Sequence, residues 1–137
     1  MNVFTDSSAL AKRYIADEQS SGLDEILQSA TNLAVSVLCI TEIISALCRR
    51  RRERFLKPAE YARVKMALEA DLADATVLQI TDEVLLQSVR LLESHPLRSS
   101  DAIQLSSALV WGVDRFVSAD ARQCAAAKAS GISVIHL

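Results

Sequence analysis

Short apolar runs alternate with amphipathic stretches along nearly the whole chain. Asn2–Thr5 (NVFT) is a β-prone run ending at Asp6, after which Ser7–Tyr14 takes on helical composition and spacing. Ser20–Ala30 predicts a second helix with Leu23, Ile26 and Leu27 on one side; Leu33–Ser36 predicts a second strand, and Leu38 to about Arg52 a third helix. Pro58 suits the first turn of a fourth helix running through Tyr61, Val64 and Leu68 to about Ala73, and Thr76–Ile80 reads as a strand. Thr81 or Asp82 caps a helix through Leu92 that His95-Pro96 breaks. Ser99 or Ser100 starts the helix DAIQLSSALVW, which Gly112 ends. Arg115–Ser118 makes a strand ending near Asp120, Ala121–Ala129 a helix stopped by Gly131, and Ile132–Ile135 a closing β-rich run.

Strands alternating with helices, with few two-residue hairpin signals, predict an α/β fold whose mostly parallel sheet is covered on both faces. Residues 1–137 suffice for one domain and one core, so one site is sought. Half the residues are hydrophobic and 23% charged, a composition of folded chains. Aromatics make up only 4%, too few for base-stacking platforms, and the net charge of -2 excludes a general nucleic-acid coat while leaving room for a local patch. Cys39, Cys48 and Cys124 form neither a disulfide framework nor a zinc-ligand spacing, which points to a reducing cytoplasm. No basic, apolar leader and no membrane-length run is present, so the expectation is a protein neither exported nor anchored.

In an open parallel sheet, the ligand crevice lies beyond the carboxyl ends of the strands. Asp6 and Asp120 follow strands there; Glu42 and Asp101 lie early in helices that start from the same edge. Each has a plainer reading: Asp6 and Asp120 as helix caps, Asp101 as a complement to a helix dipole. Glu42 differs, being the one charge in LAVSVLCITEIISALC, with Leu38 and Ala46 at i-4 and i+4. A carboxylate in that setting needs a partner. Four carboxylates brought together would repel unless a cation neutralised them. Oxygen ligands without His or Cys favour Mg2+ or Mn2+. Such an ion polarises a phosphoryl oxygen, activates water for in-line attack and offsets charge on the leaving oxygen, which is the chemistry of phosphodiester hydrolysis.

Four segments, VFTDSSALAKRY, SVLCITEIISAL, LRSSDAIQLSSAL and RFVSADARQCAAAKASGISVI, together resemble the PIN-domain family, in particular the VapC-type toxins of type II toxin-antitoxin pairs. Their order spans nearly the whole chain. The resemblance implies a three-layer α/β/α, Rossmann-like fold with a central sheet of four to five strands. It also implies a Mg2+- or Mn2+-dependent endoribonuclease whose acidic metal site matches Asp6, Glu42, Asp101 and Asp120. Ser118 matches the family's Thr or Ser near the metal, with Ser8 a second hydroxyl of that kind. Arg122 stands where some branches carry a further acid. The implied partners are an RNA substrate, a cognate antitoxin lying across the acidic site, and a second copy of the chain.

Arg49–Arg54 (RRRRER) has two readings, a grip on RNA phosphates or a solvated helix terminus that satisfies the dipole. Lys12, Arg13 and Arg98 are further candidate substrate contacts. His95 and His136 read as structural or surface residues. No Ser-His-Asp arrangement and no Gly-rich phosphate loop is legible. The rival readings are a non-catalytic RNA- or protein-binding module and a small phosphatase with Asp6 as nucleophile.

Overall fold

A computed structural model describes residues 1–15 and 20–137. Five strands, β1 (Asn2–Thr5), β2 (Asn32–Ser36), β3 (Thr76–Leu78), β4 (Arg115–Ser118) and β5 (Ser133–His136), form one sheet in the order β3-β2-β1-β4-β5, every pairing parallel. The helices among the described residues are α1 (Ser7–Ala11), α2 (Ser20–Ser29), α3 (Leu38–Arg52), α4 (Pro58–Ala73), α5 (Asp82–Ser94), α6 (Ser99–Trp111) and α7 (Ala121–Ala129). The expected α/β class with a helix-covered parallel sheet is what the chain adopts.

Successive strand residues point to opposite faces, so each strand feeds two cores. Phe4, Ala34 and Phe116 face Leu91 of α5, Ala102, Leu105 and Ala108 of α6, and Ala126 and Ala127 of α7. Phe4 and Phe116 are register partners on adjacent strands and stack with ring centroids 5.5 Å apart. On the opposite face, Val35 packs with Leu10, Cys39, Ile43, Leu47 and Leu68, while Val3 and Val117 pack with Ala9 and Leu23. Helices α1–α4 therefore cover one side and α5–α7 the other.

The ends of several elements differ from expectation for local reasons. Helix α1 stops at Ala11, and the chain continues to Tyr14 in tighter turns, with Tyr14 N–H donating to Ala11 O. There Tyr14 Oη donates to Asp71 at 2.6 Å, and Arg13 pairs with Asp24 and Asp71. Strand β3 ends at Leu78, two residues early, because its neighbour β2 ends opposite at Ser36 and turns into α3.

The chain winds outward from β1 through β2 to β3, then returns to β4 on the other side of β1. The direction of winding thus reverses between β1 and β4, and the crevice at their carboxyl ends is where such sheets bind ligands.

Candidate active site

Asp6 leaves β1 at that crevice and caps α1, its Oδ1 accepting from Ala9 N–H at 2.9 Å and Ser8 Oγ at 2.7 Å. Its Oδ2 accepts a 2.5 Å hydrogen bond from Ser118 Oγ at the end of β4. The capping and the site readings of Asp6 are therefore compatible. With only 3% exposure, burial pushes the carboxyl from 3.8 up to about 6; the Asp101 charge acts in the same direction, against the hydrogen bonds from Ser118, Ser8 and Ala9.

Asp120 behaves alike: Oδ1 caps α7 by accepting from the Arg122 and Gln123 N–H groups at 2.9 and 3.2 Å. Its Oδ2 lies 4.0 Å from Arg98 Nη2. Ser118 Oγ, while donating to Asp6, accepts from Asp120 N–H at 3.0 Å, so one buried hydroxyl ties the two acid-bearing turns together. Ser8 Oγ accepts from Ala119 N–H and closes the same junction.

Asp101, in the first turn of α6, accepts from Arg98 Nε at 3.0 Å. Arg98 is exposed at 76% of its side chain yet bridges toward both Asp101 and Asp120. The hydrogen bond and charge of Asp101 push its guanidinium pKa upward.

Glu42 projects from α3 at the flank of the face that buries Cys39, Ile43 and Leu47. Its partners are Gln104 Nε2, donating to Oε1 at 2.7 Å, and Ser7 Oγ at 3.3 Å. Neither Ser7 nor Gln104 was among the candidates read from the sequence. Ser7 lies in the DSSAL stretch, but a Gln within DAIQLSSAL carries no signal of its own. Its role exists only once α6, from the other face of the sheet, brings Gln104 within hydrogen-bonding distance of Ser7 on α1 and Glu42 on α3.

Asp6, Glu42, Asp101 and Asp120, with Ser7, Ser8, Arg98 and Gln104, line a single cleft of about 220 Å3. The acids ring this cleft without closing on one point: among the described residues, no three His, Cys, Asp or Glu side chains stand near enough to share an ion. The carboxylate and hydroxyl oxygens in the lining suit a hard divalent cation; the Arg98 guanidinium, 3.0 Å from Asp101 and 4.0 Å from Asp120, meets part of the same negative charge and would have to yield it to an ion. Cys39 lies beside Ser7 and Glu42, and burial pushes its thiol up to about 12, so it is protonated in the free protein. Neither histidine lines the cleft.

The arginine run divides. Arg49 and Arg50 line a hollow that shares Glu42 and Ala46 with the acidic cleft, whereas Arg51 sits over the Tyr61 ring at 5.2 Å. Arg122 joins Arg98, Asp101 and Asp120 around a neighbouring hollow. Arg13 is held by Asp24 and Asp71, away from the site acids.

The family model of the PIN domain matches residues 3–135. Among solved structures, FitAcB from Neisseria gonorrhoeae is similar with a TM-score of 0.76 at 10% identity, over 98% of this chain and 96% of that one. VapC20 from Mycobacterium tuberculosis, described as a sarcin-ricin loop cleaving toxin, is similar with a TM-score of 0.72 at 16% identity, over 98% and 99% of the two chains. A toxin-antitoxin complex from Klebsiella pneumoniae gives 0.68 at 15% identity over 90% of each chain. Comparison with curated protein sequences gives no match. With the family model spanning nearly every residue and four acids from four elements facing one cleft at the sheet's switch point, this chain belongs to the PIN-domain family.

Proposed function

We propose that the protein is a Mg2+- or Mn2+-dependent endoribonuclease, the VapC-type toxin of a type II toxin-antitoxin pair, hydrolysing RNA phosphodiester bonds in the acidic cleft. One observation carries the reading: Asp6, Glu42, Asp101 and Asp120, far apart in sequence, line one cleft in a chain of the PIN-domain family. The descriptions of similar structures as toxins or toxin-antitoxin complexes support the toxin assignment.

Asp6, Glu42, Asp101 and Asp120 would hold the ion, directly or through water. When bound, a divalent cation polarises a phosphoryl oxygen and assists the attack of water. The protein's own groups do the rest. Ser118 and Ser8 hold the Asp6 carboxylate against rotation. Arg98, exposed at the rim, presents a fork that matches phosphate oxygens once it leaves Asp101. An antitoxin side chain of positive charge entering the cleft would compete with the ion by the same electrostatics. A second copy of the chain is the expected partner of the apolar stripe on α5 described below.

The test is cleavage of labelled RNA by the purified chain. Activity is expected with Mg2+ or Mn2+, none with EDTA, and a loss of at least about 100-fold in Asp6→Asn or Asp101→Asn with the fold retained. Cleavage surviving EDTA or either substitution would defeat the assignment. The spread of the acids around the cleft favours one second reading, a non-catalytic RNA- or protein-binding module. Binding without turnover in either metal would select it.

A further inference from the structure

Among the described residues, Gln104 is the one amide lining the acidic cleft, and it is 1% exposed. Its Nε2 donates to Glu42 Oε1 at 2.7 Å and to Ser7 Oγ at 2.6 Å, while its Oε1 accepts from Ser7 N–H at 3.3 Å. Only the NH2 end of an amide is stable against a carboxylate, since the carbonyl end would repel it, so the orientation is chemically determined. Ser7 Oγ completes the triangle by donating to the same Glu42 oxygen at 3.3 Å. Both contacts fall on Oε1. Among the described residues, no hydrogen bond engages Glu42 Oε2.

A carboxylate with two unconstrained oxygens can chelate an ion through both. One whose first oxygen is already taken by two donors offers only the second. One-oxygen donation suits the small octahedral shell of Mg2+ or Mn2+, whereas two-oxygen chelation suits the larger, flexible shell of Ca2+. A neutral amide imposes this without cancelling the charge the ion needs, which a lysine or arginine in its place would do. We propose that Gln104 is a positioning residue that pins Glu42 Oε1, makes Glu42 a one-oxygen ligand, and so tunes the cleft toward small divalent cations over Ca2+. The inference rests on the divalent-cation reading of the cleft. It adds a residue and a selectivity that this reading alone does not contain.

The experiment is calorimetric titration of the RNA-free protein with Mn2+ and, separately, Ca2+, in wild type, Gln104→Met, Glu42→Gln and the double variant, alongside thermal unfolding. Methionine keeps the unbranched shape of glutamine and removes both donors. Mn2+ affinity is expected to fall about tenfold in Gln104→Met, as losses of outer-shell partners do, with Ca2+ affinity unchanged or raised. In the Glu42→Gln background the same change should leave Mn2+ affinity within about twofold, because the carboxylate through which it acts is gone. Should Gln104→Met fail to fold, Ser7→Ala, at the half-buried corner of the triangle, removes one donor to Oε1 and an anchor of the amide, and should weaken Mn2+ about threefold. Wild-type Mn2+ affinity in a folded Gln104→Met overturns the inference alone, as does an equal loss with and without Glu42, or a parallel loss for both ions. Absence of Mn2+ binding to wild type overturns the cation reading itself.

Discussion

Asp6 accepts three hydrogen bonds and still keeps its proton to unusually high pH, which measures how much burial costs this carboxylate. The folded carboxyl titrates near 6 against 3.8 when solvated, so between those values the folded state binds more protons than the unfolded one. Stability must therefore fall as pH rises through that window. Replacing Asp6 by Asn removes the charge while Ser118 Oγ, now an acceptor, keeps a partner. In EDTA at pH 7.5, Asp6→Asn should be more stable than wild type by on the order of 2 kcal/mol, and the gap should close as pH drops from 6 toward 4. Urea denaturation across that range reads it; a less stable variant at pH 7.5 would mean that the lost hydrogen bonds outweigh the relieved charge. The need of Glu42 for a partner was legible from its apolar surroundings. That the nearest partners are Gln104 and Ser7 was not, because hydrogen bonds between residues 62 and 35 positions apart depend on how three helices meet.

At the scale of elements, the helix ends follow one device. Helices α6 and α7 both close with a glycine at positive φ, Gly112 at 89° and Gly131 at 83°, followed by a residue bonding back to the last turn: Val113 N–H to Ala108 O, Ile132 N–H to Ala127 O. These stops were readable because glycine advertises them. Helix α3 ends in the same pattern, Phe55 N–H to Arg50 O and Arg54 N–H to Arg51 O, yet the left-handed position is Arg54 at φ 64°. No glycine marks it, so the arginine run read as one block, although its last member belongs to the turn. Arg54→Gly should stabilise the protein by about 1 kcal/mol and Gly112→Ala destabilise it by a similar amount, both measured by urea unfolding. The same helix carries Glu42 near its start and Arg49 and Arg50 beside a hollow continuous with the acidic cleft. If RNA follows that hollow, Arg50→Ala in an Asp101→Asn background should lower the slope of log affinity against log salt by about 0.7, the share of one single-strand phosphate. An unchanged slope would return Arg50 to a purely dipole-satisfying role.

At the scale of the whole molecule, both faces of the sheet are covered, but the outer surface of α5 is not. Leu85, Val89 and Leu92 recur at helical spacing, with Leu86 alongside, and these four side chains are between 40% and 56% exposed. Val110 of the neighbouring α6 is exposed as well. A composition that is half hydrophobic in a small domain already suggested more apolar surface than one core hides. Sequence periodicity could not say which helix carries the surplus, since α2 and α5 are amphipathic to the same degree. A stripe of this kind on a chain with a net charge of only -2 is suited to meet its own copy across a two-fold axis, each Leu85 and Val89 burying against the partner's stripe. Wild type is then expected to sediment as a dimer at micromolar concentration. Leu85→Glu with Val89→Lys removes two apolar side chains per copy and should weaken association by at least about 3 kcal/mol, more than a hundredfold, leaving a monomer with unchanged circular dichroism. A dimer that survives the pair of substitutions would move the interface elsewhere, and a wild-type monomer would leave the stripe for a different protein to cover.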